Sequence, residues 1–124
     1  MKLRYTPQAI ADIREIKDYI RDALHDPSAA ERIARSILDG CAALKDFPKI
    51  GVGLAAKTDF ETDLRMLICG RYIALYRIDN DINTVSVARI IHAQQDYIHI
   101  LLDETGPTER DDTSNAEDLN QPHI

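Results

Sequence analysis

The 124-residue sequence has few cysteines and no long apolar run. Its two cysteines, Cys41 and Cys69, are far apart and lack the CxxC or Cys/His spacing of zinc sites and redox pairs. We therefore predict two small buried side chains that stay reduced, and no metal site. No stretch approaches the roughly 18 apolar residues of a membrane span. Charged residues interrupt the segment after Met1, so no secretion signal is predicted, and we expect a soluble, cytoplasmic protein with no membrane partner.

The sequence also lacks the short motifs of the common enzyme classes. It contains no P-loop, no GxGxxG, no HExxH and no GxSxG pattern, and no histidine neighbours Ser86. A conventional cofactor-dependent enzyme is therefore not expected, and no cofactor is predicted.

Charge is distributed unevenly along the chain. Residues 103–124 contain seven acidic residues and one arginine, so they account for the whole formal net charge of −6. The rest of the chain is balanced, which argues against a non-specific nucleic-acid binder with a basic surface. Gly106-Pro107 would end any preceding helix, and few large apolar side chains follow. We predict a folded domain over residues 1–103 and a disordered acidic tail over residues 104–124.

The first half of the chain has the pattern of one strand and two helices. Residues 2–6 alternate between polar and apolar, as a strand does. Thr6-Pro7 and Asp26-Pro27 each resemble a helix N-cap followed by a proline in the first turn. Apolar residues then recur every three or four positions, at Ala9, Ile13, Ile16, Ile20 and Ala23 and again at Ala30, Ile33, Ile37, Cys41, Leu44 and Pro48. Two such helices with a short connection form an antiparallel hairpin.

The second half has the pattern of strands. Three segments are rich in β-branched and aromatic residues and are separated by turn residues, at 64–69, 72–78 and 84–91. We predict an antiparallel three-stranded meander, entered by a loop at 49–62 and followed by a short helix at 94–102. The expected fold is α+β in the order β-α-α-β-β-β with a terminal helix, and the helices cover one face of the sheet.

This order and several local segments resemble the RelE/ParE superfamily, the toxins of type II toxin–antitoxin systems. The matching segments are YTPQA at 5–9, DYI at 18–20, LKDFPKIG at 44–51, RML at 65–67, GRYIALYRI at 70–78 and ARIIHAQQDY at 88–97. The resemblance covers residues 2–102, and the acidic tail has no counterpart in it. It implies a toxin that a cognate antitoxin protein neutralises, that contacts operator DNA only through the antitoxin, and that serves functions such as plasmid stabilisation.

The superfamily has two different activities. RelE-type toxins cut mRNA in the ribosomal A site with a cluster of Lys and Arg and a C-terminal Tyr, whereas ParE-type toxins poison DNA gyrase and are not known as nucleases. Where RelE-type enzymes place an arginine inside a strand, this sequence has Ile73. The resemblance is therefore closer to the ParE branch and implies a non-catalytic gyrase poison. The alternatives are a ribosome-dependent mRNA endonuclease and a degenerate member that only binds its antitoxin.

The candidate site residues are chosen by charge and by exposure. An anionic target needs cations on one face, so we predict Arg65, Arg71 and Arg77 as target-binding residues. We favour no catalytic residue. A RelE-like enzyme would use cations that stabilise the phosphate together with proton carriers, namely Arg65, Arg89, His92 and Tyr97. An amphipathic antitoxin segment would cover apolar residues left exposed by the helices and the sheet, among them Tyr19, Leu38 and Tyr76.

Each polar candidate also has a structural interpretation. Arg65 could pair with Asp63 or Asp79, and Arg89 could anchor the sheet to Glu15 or Asp12. His92 could be a hydrogen-bonded turn residue, and Tyr97 could pin the last helix to the sheet.

Overall fold

The computed structural model describes residues 1–56 and 62–94 of the chain. Strand β1 (Lys2–Tyr5) leads into helices α1 (Pro7–Asp18) and α2 (Pro27–Ala42). The remaining strands are β2 (Val52–Gly53), β3 (Arg65–Cys69), β4 (Tyr72–Asp79) and β5 (Thr84–His92). The predicted α+β class and the predicted order of strand, helix pair and three-stranded meander are confirmed.

Both helices begin where the sequence predicts. The Thr6 hydroxyl accepts a hydrogen bond from the Ala9 amide at 3.1 Å, and the Asp26 carboxylate accepts one from the Ala29 amide at 3.0 Å. In each case a proline occupies the first turn, where its missing N–H would have had no partner in the helix. These caps fix the residues at which α1 and α2 begin.

The first helix changes its winding before it ends. Residues Tyr19–Ala23 form a π-helical turn, which is wider than the preceding α-helical turns. Ile20 stays buried, whereas Ala23 is exposed. The prediction that Ala23 lies on the apolar face is therefore wrong, because the extra residue per turn rotates it away from the core. His25 then takes a φ of 56° and reverses the chain into α2.

The sheet has the strand order β1-β5-β4-β3-β2. β1 is parallel to β5, and all other neighbours are antiparallel. The intervening helical hairpin makes the parallel pairing possible, since parallel strands need a long crossover connection. β2 lies inside the predicted loop 49–62, and only Val52 and Gly53 pair with β3. A two-residue strand is too short to show an alternating pattern, so the sequence did not predict it.

The two faces of the sheet bury separate apolar clusters. The helix-facing cluster includes Ala74, Tyr76 and Val87, together with the inner faces of α1 and α2. The opposite face holds a second cluster, formed by Leu54, Leu64, Met66, Ile73, Leu75, Ala88 and Ile91. A β-bulge shifts the register of β5 between Leu75 and Tyr76 of β4, and this shift places an extra residue of β5 opposite them.

Three predicted features lie wholly or partly outside the described residues: the short helix at 94–102, of which only Gln94 is described, the acidic tail at 104–124 and part of the loop at 49–62. Within residues 1–56 and 62–94, no helix combines the length and the apolar character that crossing a membrane requires.

Tyr76 holds the loop before β2 against the sheet. Its side chain is completely buried, and its hydroxyl donates to the Pro48 carbonyl at 2.7 Å and accepts from the Gly51 amide at 3.0 Å. The prediction that Tyr76 is an exposed antitoxin contact is therefore wrong. Both faces of β4 are covered at this position, so Tyr76 has no access to a partner.

The close approach at Gly51 gives a stability prediction. A methyl group at Gly51 would lie 2.5 Å from the Met66 carbonyl oxygen and 2.7 Å from the Tyr76 hydroxyl. We expect Gly51→Ala to lower the free energy of unfolding by about 1–3 kcal/mol, because the neighbours are backbone and a fixed ring. The matched control is Gly53→Ala, whose new methyl group meets only Arg65 at 3.7 Å. Equal denaturant midpoints for the two variants would contradict this account of the loop.

Candidate functional site

The three predicted target-binding arginines do not form one patch. Arg65 begins β3 and is paired with Tyr76 of β4, beside Arg77. Arg71 lies in the turn at the other end of the β3–β4 hairpin. Five positions along an extended strand correspond to about 16 Å, so Arg71 is well separated from the other two. Their role in target binding stays a prediction. A target that binds all three arginines would have to contact both ends of the β3–β4 hairpin.

Arg65 is engaged in holding the loop. Its guanidinium donates to the Gly51 carbonyl at 2.7 Å, to the Lys49 carbonyl at 3.1 Å and to the Tyr76 hydroxyl at 3.4 Å. The suggested pairing of Arg65 with Asp63 or Asp79 is wrong. Asp63 instead accepts from Arg77 at 2.9 Å. Arg65 thus shares its loop contacts with the buried tyrosine.

Arg89 anchors the sheet to the first helix. Its guanidinium donates two hydrogen bonds to the Asp12 carboxylate, at 2.9 and 3.2 Å. The same carboxylate accepts from the Ile90 amide at 2.9 Å and from the Gln8 side chain at 2.9 Å. Asp12 is only 5% exposed, so its charge depends on these donors. The predicted anchoring of Arg89 by a helix carboxylate is confirmed, with Asp12 as the partner.

His92 closes β5 as a turn residue. Its Nδ1 accepts from the Gln94 amide at 3.1 Å, and its ring lies edge-on to Tyr72 with centroids 5.2 Å apart. The interpretation of His92 as a hydrogen-bonded turn residue is confirmed. Tyr97, the last member of the RelE-like set, lies outside the described residues.

The surroundings of Ile73 are also relevant to the residues that a RelE-like enzyme would use. Its side chain is 4% exposed and packs in the second apolar cluster with Leu75 and Ile91. The interior of this strand therefore presents an aliphatic group where a RelE-type enzyme would place a cation.

A pocket opens where the tip of the helical hairpin meets the β3–β4 turn; we call it the tip pocket. Its volume is about 630 Å³, and its walls come from the π-helical turn, α2 and the ends of β3, β4 and β5. Arg32, Arg71 and His92 provide cationic or titratable groups, and Tyr19 and Tyr72 provide aromatic ones. Partial burial raises the pKa of Tyr72, and the nearby charge of Arg71 opposes this rise. The pocket suits a ligand with negative and apolar groups.

A second groove runs between α1 and α2, with Tyr5 of β1 also in its wall; we call it the outer groove. Its volume is about 410 Å³. Ile10 and Leu38 line it, and each is 42% exposed. Lys17 and Glu31 form an ion pair of 3.1 Å between the two helices in the groove wall. Of the predicted antitoxin contacts, the structure thus places Leu38 in the outer groove and Tyr19 in the tip pocket.

The two cysteines are buried and free, and they contact each other. A thiol hydrogen bond with Cys69, together with burial, raises the pKa of Cys41, and the same bond lowers the pKa of Cys69. The predicted burial of both side chains is confirmed. In the described part of the chain, no three His, Cys, Asp or Glu side chains converge on a point that could hold a metal ion.

Comparison with known proteins identifies a family and structural neighbours. Residues 3–97 match the family model described as the ParE toxin of the type II toxin–antitoxin system parDE. A chain of the chromosomal ParDE toxin–antitoxin system from P. aeruginosa is similar with a TM-score of 0.62 and 23% identity, over 76% of this chain and 97% of that chain. A chain of the RelBE2 toxin–antitoxin complex from Mycobacterium tuberculosis is similar with a TM-score of 0.54 and 21% identity, over 73% and 95%. No curated protein matches.

The buried ion pair generates the second stability prediction. Asp12→Ala removes the buried carboxylate that accepts from both the Arg89 guanidinium and the Ile90 amide, so we expect a loss of about 3–5 kcal/mol of unfolding free energy. The control is Asp63→Ala, which removes an ion pair whose carboxylate is 72% exposed and should cost at most about 1 kcal/mol. Urea denaturation of both variants makes the comparison. A similar loss of unfolding free energy in the two variants would contradict the anchoring role of Asp12.

Proposed function

Since the chain belongs to the family of ParE toxins of type II toxin–antitoxin systems, we propose that it poisons DNA gyrase in the cytoplasm and is neutralised by a cognate antitoxin. The observation that carries the choice of gyrase over the ribosome is the apolar environment of Ile73. A nuclease must stabilise charge that develops on a phosphate, and losing one such donor costs on the order of 3 kcal/mol of transition-state stabilisation.

The two arginines of the RelE-like set, Arg65 and Arg89, do not compensate for Ile73 in the present arrangement. Arg65 is bonded to two loop carbonyls, and Arg89 is bonded to the buried Asp12. Either cation would have to leave a structural partner in order to reach a phosphate. This supports a toxin that acts by binding.

Among the predicted target contacts, Arg71 is best placed to meet a partner. It is exposed, and its side chain forms no hydrogen bond or ion pair with any other described residue. Arg65 and Arg77, by contrast, already hold the Lys49 carbonyl and Asp63. Arg71 can therefore pair with an acidic group of the target without losing an existing bond.

The outer groove is the proposed antitoxin site. The structural neighbours ParDE and RelBE2 are described as toxin–antitoxin systems or complexes, which supports an antitoxin partner here. An amphipathic helix could place apolar residues on Ile10 and Leu38, and its flanking charges could meet those of the groove wall. Burying these two side chains removes apolar area that the free monomer exposes to water.

We expect the purified protein to inhibit supercoiling by gyrase and to leave linear DNA, while ribosome-bound mRNA stays intact. Arg71→Glu should weaken the inhibition about tenfold, because it puts a like charge against an acidic target surface. Arg21→Glu is the control, since that arginine is also exposed but lies outside the tip pocket. A supercoiling assay and primer extension on cellular mRNA measure the two activities. Cuts at the ribosomal A site would reverse our choice of target, and unimpaired growth on expression without antitoxin would indicate an inert member.

Leu38→Glu should weaken antitoxin binding at least tenfold, because a charge replaces an apolar contact in the centre of the outer groove. Ile82→Glu is the matched control, since Ile82 is 57% exposed in the turn between β4 and β5, away from the groove. Isothermal titration with the protein encoded beside this gene gives both affinities. The groove assignment fails if the two variants bind equally well.

A further inference from the structure

The tip pocket presents cations that have no partner in the described part of the chain. Arg32 on α2 and Arg71 in the β3–β4 turn are exposed, and neither guanidinium makes a hydrogen bond or an ion pair with a described residue. The one carboxylate in the wall, Asp26, already accepts from the Ala29 amide as a helix cap. The two guanidinium charges exceed the single carboxylate charge of Asp26 among the described wall residues, so the pocket favours an anionic ligand.

The pocket also has an apolar part. Ile20, Leu24, Ile33 and Ile37 line it beneath the arginines. Leu24 is more than half exposed, so the free pocket leaves apolar surface in contact with water. A ligand of matching chemistry carries several carboxylates and a few aliphatic side chains along one extended segment.

We propose that the acidic C-terminal segment of this chain, residues 103–124, docks in the tip pocket and pairs its carboxylates with Arg32 and Arg71. This segment contains seven acidic residues against one arginine, and it contains Leu119 and Ile124 as aliphatic groups. It therefore has the two kinds of group that complement the pocket, carboxylates for the arginines and aliphatic side chains for the apolar wall. The proposal concerns an intramolecular contact and does not depend on the identity of the toxin's target.

The path of the chain brings the segment close to the pocket. His92 belongs to the pocket wall, and the described residues end two positions later, at Gln94. Asp103 lies nine positions beyond Gln94, and nine residues can span up to about 30 Å when extended. The connection is therefore long enough to reach either arginine from the end of β5.

Attachment to the same chain compensates for the weakness of each contact. A short flexible linker gives an effective concentration in the millimolar range. Exposed ion pairs are individually weak, but several carboxylates share two guanidinium groups here. Salt screens such contacts, so the occupancy of the pocket should fall as ionic strength rises.

Docking would have a regulatory consequence that rests on the proposed function. Arg71 is a predicted contact of the target, and Tyr19 is a predicted contact of the antitoxin; both line the tip pocket. A docked segment would cover both residues. It would lower the affinity for either partner until that partner displaced it.

The first experiment compares two full-length proteins by NMR. One is the natural chain, and the other carries amides in place of the seven tail carboxylates: D103N, E104Q, E109Q, D111N, D112N, E117Q and D118N. We expect the Gly70 amide and the side-chain Nε–H groups of Arg32 and Arg71 to differ in chemical shift between the two at low salt, and to coincide at high salt. Identical spectra at low salt would overturn the proposal. Differences that grow with protein concentration would also overturn it, because they would indicate the tail of a second copy.

The second experiment supplies the segment in trans. A synthetic peptide of residues 103–124 is titrated into the full-length protein with the amide tail. We expect Arg32→Gln and Arg71→Gln each to weaken peptide binding about two- to fivefold, the range expected for one exposed ion pair. Arg35→Gln is the control, because Arg35 lies on the same helix but lines the outer groove. An equal loss with Arg35→Gln would mean non-specific attraction and would refute the pocket. Melting temperatures establish that each variant is folded, and no step measures gyrase, so failure here is distinct from failure of the proposed target.

Discussion

The arrangement of the helices on the sheet depends on the buried carboxylate of Asp12. This group joins α1 to β5 through the Arg89 guanidinium and the Ile90 amide. Six residues earlier, the Thr6 hydroxyl donates to the Ala88 carbonyl at 2.9 Å, so the start of the helix is fixed to the same strand. A buried charge with several donors tolerates little displacement, because each lost donor leaves an unpaired group in a low dielectric. The helical hairpin, and with it both pockets, is positioned by this contact.

The sequence predicts those elements whose determinants are local. Proline after a capping side chain fixes both helix starts, and runs of β-branched residues locate β3, β4 and β5 to within about one residue. The anchoring of Arg89 is also predictable, because a charged residue in an apolar strand needs a partner. In each case the relevant information lies within a few residues or follows from a requirement for charge compensation.

Other features depend on contacts between distant residues and could not be predicted. The π-helical turn at Tyr19–Ala23 exposes Ala23 although its spacing fits the apolar stripe. Tyr76 is aromatic on a strand, and only the position of the 48–51 loop shows that its hydroxyl is bonded inside the protein. Arg65 and Arg71 lie at opposite ends of the β3–β4 hairpin, and the alternation of residues within each strand does not reveal this separation. A cation that matches a family pattern can therefore serve the fold, as Arg65 does with the loop carbonyls.

The parallel pairing of β1 with β5 has a consequence for the synthesis of this protein. Lys2 pairs with Thr84, so the first strand has no partner until the last strand has been made. At about 5–20 residues per second, translation of the intervening residues takes roughly 4 to 16 s. Contacts of such long sequence separation also make folding slow, because closing the loop costs entropy before any pairing is gained. A nascent or truncated chain that lacks β5 can neither complete the sheet nor hold the buried carboxylate, so ribosomes that stop early release a chain that cannot adopt this fold.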